Sequence, residues 1–263
     1  MKKNVVWFPI LKNKDHSEKY GGFEYFEYSR NTWEYWCEKN DVLFVPFDKP
    51  KHNDFIQYRP QWQKCIYVFD EIDNLGVDFD QIALVDSTAM IKWDCPNFFD
   101  LTDRKFVGWR DRDNLGWFYD SVVGYQKIFD NFEFDFTKYI NSGFMIFNDD
   151  HRLFFEKLKE LYFEKKDDFI KLQDKDVRKG NDQTPINYLL QIMNIDVKLD
   201  IPFSFNLTHM HRKDLFSHNW QLDEDKTPFF IKYGKVWRFT GIPKNQRSQI
   251  MRQTWDMIKG NYK

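Results

Sequence analysis

The sequence predicts an α/β fold: a mostly parallel central sheet with helices on both faces, in a single domain over residues 1–263. Three observations predict it. Strand-like apolar runs alternate with helix-like runs, the order found in sheets built from strand–helix–strand units. Gln81-Ile82-Ala83-Leu84-Val85-Asp86 and Gly143-Phe144-Met145-Ile146-Phe147-Asn148 are continuous apolar runs, as in strands covered on both faces. No internal repeat and no Pro/Gly/Ser-rich linker divides the chain.

In chain order, Val5 to Leu11 reads as the first strand and Val42 to Phe47 as the second, with Pro46 at its end or on an edge. Pro60 opens a helix with Trp62, Cys65, Ile66, Phe69 and Ile72 on one stripe, and Gly76 stops it. The runs ending at Asp86 and Asn148 are the next strands. Asn148-Asp149-Asp150 caps a helix with Phe154, Leu158, Leu161 and Tyr162 on one face. The mixed-charge stretch 164–182 reads as a solvated helix end and loop. A helix follows Asp182, with Ile186, Leu189, Leu190 and Met193 in register. Phe229-Phe230-Ile231 and Val236-Trp237-Arg238-Phe239 read as short strands, and 248–258 as a last helix.

Composition excludes several classes. Thirty-nine Lys and Arg against 41 Asp and Glu leave a net charge of −2, so nothing suggests a nucleic-acid-coating surface. Twenty-eight Phe, 13 Tyr and 10 Trp supply a sizeable core. No apolar run approaches the roughly 18 residues that cross a bilayer, so no transmembrane segment is expected. The start, Lys2-Lys3-Asn4 before Val5 to Leu11, lacks a small-residue cleavage site, so a buried strand is the better reading than a signal peptide. Cys37, Cys65 and Cys95 are odd in number and widely spaced, which fits neither a disulfide framework nor a zinc site and points to a reducing cytoplasm.

Ligands of parallel sheets sit beyond the carboxyl ends of strands. Asp86, delivered there, either holds a hard cation such as Mg²⁺ or Mn²⁺ or caps a turn. Asn141 and Ser142 before Gly143 either recognise sugar hydroxyls or form an ordinary turn. Asp182 either caps the following helix or, with Gln183, faces a cleft. Thr240-Gly241 followed by Lys244 and Arg247 forms a phosphate site or a solvated basic loop. His209 and His211 suit a surface or substrate loop better than a metal site, and Tyr28, Trp33, Tyr35 and Trp36 suit core packing better than sugar stacking.

The joint order of these elements carries more than any one of them. Asp86-Ser87-Thr88 after a strand, Asn141-Ser142-Gly143 before one, Asp182-Gln183 opening a helix and Phe239-Thr240-Gly241 near the end resemble the nucleotide-sugar glycosyltransferases of the GT-A fold. Within them the chain looks most like glycosyltransferase family 8, the glycogenin and galactosyltransferase type. The likeness runs from the first strand to Arg247 and is best over 59–99 and 139–190. It implies that Asp86 is the first aspartate of an Asp-x-Asp motif, binding a divalent metal (Mn²⁺ or Mg²⁺) and the nucleotide ribose. Asn141 and Ser142 would lie near the donor sugar, and Asp182 and Gln183 would be the catalytic pair contacting it. Lys64 would lie near the diphosphate, with Lys244 and Arg247 as further cations, and Phe8 near the base.

Two positions depart from the pattern. Thr88 stands where the second aspartate is expected, and Arg238 where the family places a metal-binding His. The metal would then be held weakly through Asp86, be dispensable, or be lost with the catalytic site. The expected activity is sugar transfer from a nucleotide-diphosphate sugar to a hydroxyl of a glycan or other acceptor, with retention of configuration. The alternative is a non-catalytic nucleotide-sugar or glycan binding module. A nucleotidyltransferase would need a Gly-rich basic loop after the first strand, and Leu11-Lys12-Asn13-Lys14-Asp15 has no Gly.

Overall fold

The computed structural model describes residues 2–12, 22–111, 115–208, 215 and 220–263. The predicted roles of His209 and His211, and the Asn13-Lys14-Asp15 end of the loop after the first strand, fall outside them. In chain order the elements are β1 (Lys3–Pro9), α1 (Glu24–Lys39), β2 (Leu43–Phe47), α2 (Pro60–Ile66), α3 (Val68–Asn74), β3 (Phe79–Val85), β4 (Ala89–Ile91), β5 (Phe106–Arg110) and α4 (Leu115–Tyr125). They continue with β6 (Ile140–Asn148), α5 (Arg152–Lys171), α6 (Gln183–Ile192), β7 (Val197–Lys198), α7 (Phe229–Tyr233), β8 (Val236–Arg238) and α8 (Lys244–Ile258). Strand and helix alternate as expected, and the sheet is mostly parallel. The residues group into two compact units, each assembled from separate stretches of chain.

The first unit holds residues 1–2, 50–84 and 102–200. Its strands run in the order β3–β6–β5–β7. β5 lies antiparallel to β6 and parallel to β7. All nine residues of β6 are buried, as its continuous apolar run requires. Gly108 of β5 lets that strand come close: a Cβ there would meet Ile140 Cδ1 at 2.5 Å. Helices α2, α3 and α5 bury their stripes together. Trp62 lies 4.6 Å from Tyr162 and 5.0 Å from Phe169 between ring centroids, and Phe69 lies 5.3 Å from Phe155.

Three details differ from the sequence reading here. The helix opened by Pro60 is two helices, because the backbone leaves helical geometry at Tyr67 (φ −115°, ψ 4°). The Tyr67 hydroxyl meets His52 Nε2 at 2.7 Å, a tertiary bond that periodicity does not encode. The stretch 164–182 is not wholly solvated: Gln173 is buried, takes Arg59 Nη1 at 3.1 Å and donates to the Asn181 carbonyl at 3.1 Å. Strand β5 and helix α4 carry no expectation from the sequence, being short or lacking a polar face.

The second unit holds residues 3–49, 85–101 and 201–263. β1 pairs with β2 in parallel, and β4 with β8 antiparallel. Trp33 and Trp36 of α1 are fully buried, as core packing requires. The Trp36 ring stacks on Phe98 at 4.6 Å, and its Nε1 donates to the Cys95 carbonyl at 2.8 Å. The expected strand at Phe229-Phe230-Ile231 is instead the short helix α7. Pro228 leads into it, and Lys232 N donates back to the Pro228 carbonyl at 3.0 Å. Three consecutive apolar residues mark burial but no period, so they do not separate a strand from a helical turn. The last helix begins at Lys244, after Pro243, four residues before the expected start, so the supposed loop bearing Arg247 is its first turn.

Asn148 caps the turn leading into α5 as predicted, its Oδ1 accepting from Asp150 N at 3.0 Å. His151 Nδ1 accepts from Asn148 N at 3.2 Å, which requires an unprotonated nitrogen there. Burial holds the His151 pKa below its ordinary 6.5, with Asp150 opposing. The folded state therefore prefers neutral imidazole, and the unfolded chain takes up the proton first as pH falls. This contribution to stability is complete above pH 6.5 and is lost toward the lower folded pKa. Urea midpoints of the wild type should fall more between pH 7.5 and 5.5 than those of His151→Gln; equal falls would remove His151 from the account.

Candidate functional site

In the first unit, β6 and α6 carry the polar residues singled out from the sequence. Asn187, one turn into α6, fixes their register. Its Oδ1 accepts from Ile140 N at 2.7 Å, and its Nδ2 donates to the carbonyls of Ile140 at 2.9 Å and Gln183 at 2.8 Å. The start of α6 is thereby tied to the start of β6, and five residues meet. Ser142 Oγ donates to Asp182 Oδ2 at 3.0 Å, and Ser142 N to Gln183 Oε1 at 3.2 Å. Gln183 Nε2 donates to Asp111 Oδ2 at 2.8 Å, and Asn141 Nδ2 to the same oxygen at 3.3 Å.

Asp182 precedes α6 but makes no side-chain cap, so the capping role does not hold. Its carboxylate instead faces Lys64 Nζ at 3.5 Å, with both side chains nearly excluded from solvent. A buried pair of this kind is held by geometry and added hydrogen bonds, which offset the cost of removing both charges from water. Lys64, expected near the diphosphate, is thus the ion-pair partner of Asp182.

Beneath α6, Thr184 Oγ1 lies 2.6 Å from Ser121 Oγ and 2.7 Å from Tyr139 OH. Gly180 approaches these hydroxyls at φ +71°, and a Cβ there would sit 2.0 Å from Thr184 Oγ1. Burial pushes the Tyr139 hydroxyl far above its usual pKa, so it stays a neutral member of the chain.

Asp111 was missed. It follows β5 directly and accepts from two predicted site residues. The signal was present: Phe106-Val107-Gly108-Trp109-Arg110-Asp111 is an apolar run ending near a carboxylate, the same cue that singled out Asp86.

In the second unit, β4 and β8 bring the two ends of the sequence pattern together. Ala89 pairs with Arg238, and Phe239 N donates to the Thr88 carbonyl at 2.8 Å. Arg238 Nη2 donates to Asp86 Oδ2 at 2.8 Å; the Arg238 side chain is 1% exposed and that of Asp86 26%. Arg247 also faces Asp86, and Tyr25 beside it. Burial draws the Arg247 pKa down, while Tyr25 and Asp86 pull it back up. Arg247 Nη2 donates to the Ile242 carbonyl at 3.0 Å. The Lys244 side chain is outside the described set.

Phe8 lies in β1 with its side chain wholly buried, 5.4 Å from Phe44 between ring centroids. Its ring is core in this structure and offers no surface to a nucleotide base.

The residues around Asp86 do not fit a divalent metal. Hard cations take six or more oxygens, and Mg²⁺ draws one or two from protein carboxylates beside water and substrate phosphates. Here the motif supplies Asp86, Thr88 stands where a second carboxylate is expected, and a guanidinium bonds an oxygen of Asp86. A unit charge 4 Å from another costs about 4 kcal/mol at an effective dielectric near 20, and a divalent ion roughly doubles that. Among the described residues no three His, Cys, Asp or Glu side chains converge as a metal-binding group.

No family model matches the chain, and no curated protein is detectably similar in sequence. Solved structures do match. A glycosyltransferase involved in glycosylation of the major capsid of PBCV-1 aligns over 95% of this chain and 99% of its own, at 10% identity and a TM-score of 0.54. The fold is that of the GT-A glycosyltransferases. Mouse xyloside xylosyltransferase 1 aligns over 92% of this chain and 98% of its own, at 9% identity and a TM-score of 0.48. An active-site mutant of LgtC aligns over 95% of both chains, at 12% identity and a TM-score of 0.42. The first of these, at 10% identity, shows the fold alone.

The Lys64–Asp182 pair should be energetically coupled. In a double-mutant cycle of Lys64→Met and Asp182→Asn, urea denaturation should give an interaction energy of about 1–3 kcal/mol. Additive effects within about 0.3 kcal/mol would mark the pair as incidental.

Proposed function

We propose that this chain is a glycosyltransferase that moves a sugar from a nucleotide-diphosphate donor to a hydroxyl of a glycan or another acceptor. The observation that carries this reading is the convergence of Asn141, Ser142, Asp182, Gln183 and Lys64 on the ends of β6 and α6, within a fold shared with glycosyltransferases. Amides and hydroxyls that both donate and accept suit sugar hydroxyls. Asp182, held by Lys64 and Ser142, and Gln183, held by Asp111, are pre-oriented and pay little ordering entropy on binding.

In this reading Asp182 and Gln183 contact the donor sugar, with Asn141 and Ser142 beside them. Asp86 is the ribose-side carboxylate, and Arg247 with Lys244 stabilises the leaving diphosphate. Family 8 and retention of configuration rest on the sequence resemblance. Cys37, Cys65 and Cys95 are all buried and unbridged, and burial raises the Cys95 thiol to about 12, which makes it a poor nucleophile; the cytoplasmic location rests on the sequence reading. Among the described residues no helix is long and apolar enough to cross a membrane.

Donor hydrolysis without acceptor tests the proposal. The full chain should release sugar from at least one common UDP- or GDP-sugar, and Gln183→Ala should lower that rate about 10-fold or more, a loss of roughly 1.4 kcal/mol of transition-state stabilisation. Gln183→Ala should keep the wild-type melting temperature within about 3 °C, because the side chain is partly exposed. The blocked carboxylate at Asp86 favours one second reading, a binding module of the same fold. Donor binding with no turnover of any donor would select it.

A further inference from the structure

We propose that the Asp86 region of the second unit binds a diphosphate without a divalent cation, with the Arg238 guanidinium built into the fold in its place. The inference rests on the glycosyltransferase reading and concerns only the second unit. The antiparallel register of β4 and β8 sets Arg238 opposite Ala89, three residues after Asp86, so the ion pair is a consequence of strand pairing. Arg238 is buried and fixed, whereas Asp86 is the exposed member. A metal ion seated on Asp86 would lie beside a desolvated guanidinium bonded to Oδ2, and the repulsion between the two cations is unfavourable.

A second cation lies near the pair. Arg238 bonds Asp86, and Arg247 adds positive charge beside that carboxylate. Arg247 lies in the first turn of the 15-residue helix α8, and its Nε is buried without a hydrogen-bond partner. A guanidinium suits phosphate oxygens, which it can engage through two parallel hydrogen bonds. Asp86, held by Arg238, is left to accept hydrogen bonds from ribose hydroxyls instead of ligating a metal.

Calorimetric titration of the full chain with UDP and with GDP, in EDTA and in Mn²⁺, tests this. The diphosphate that binds should do so with affinities within about twofold in the two conditions, and Arg247→Ala should weaken binding in EDTA about 10-fold. A gain of 10-fold or more in Mn²⁺ would overturn the metal-free site and leave the glycosyltransferase reading intact. No binding of either nucleotide in both conditions would overturn that reading, and this inference with it.

Thermal melting with Mn²⁺ alone gives a readout independent of nucleotide. The wild type should not shift, and the double variant Thr88→Asp, Arg238→His should shift upward as metal binds the folded state. A saturable upward shift of the wild type would refute the inference whether or not the double variant folds.

Discussion

The polar site of the first unit depends on one side-chain amide. Asn187 hydrogen-bonds both the N–H and the carbonyl of Ile140 and also reaches back to the Gln183 carbonyl. A strand end and a helix start have no intrinsic reason to keep register, because their side-chain periods differ. The amide supplies that register. Ser142, two residues along the strand, then meets Asp182 and Gln183, and Asn141 meets Asp111. Were the register to slip by one residue, Asn141 and Ser142 would exchange faces.

Paired charge is the second constraint, and it operates separately in each unit. Lys64 and Asp182 are both buried, as is Arg238 beside Asp86. Ionised groups in such surroundings persist only with partners and supporting hydrogen bonds. The consequences differ. In the first unit the pairing orients a carboxylate whose neighbours are amides and hydroxyls, an arrangement suited to sugar recognition. In the second it consumes the carboxylate that would otherwise attract a cation. A departure from a family pattern, Arg238 in place of His, thus has a geometric meaning that the pattern alone lacks.

Much of the fold was legible in the residues. The runs at β3 and β6 announced covered strands because a strand buried on both faces has no polar alternation. Pro60, Gly76 and Asn148 marked helix boundaries through local backbone chemistry, which acts within a few residues and is therefore readable in sequence. The short helix α7 was not legible, since three adjacent apolar residues have no period. Nor was the break at Tyr67, where a bond to His52 lies 15 residues away. The polar cluster of the first unit was legible in its parts: Asn141, Ser142, Asp182, Gln183 and Lys64 were each named and lie in one network with Asp111. Asp111 was overlooked although the cue used for Asp86 applied to it.

The amino-acid sequence by itself determined the α/β class, the buried strands and the residue types available for sugar and phosphate chemistry. These follow from hydrophobic periodicity and from local turn and cap chemistry, both short-range properties. Tertiary structure alone decided who partners whom. Lys64 finds Asp182 across 118 residues of chain, and Arg238 finds Asp86 across 152. Such partnerships are set by strand pairing and helix packing, so whether Asp86 is open to a cation or already occupied could not be read from its neighbours in sequence.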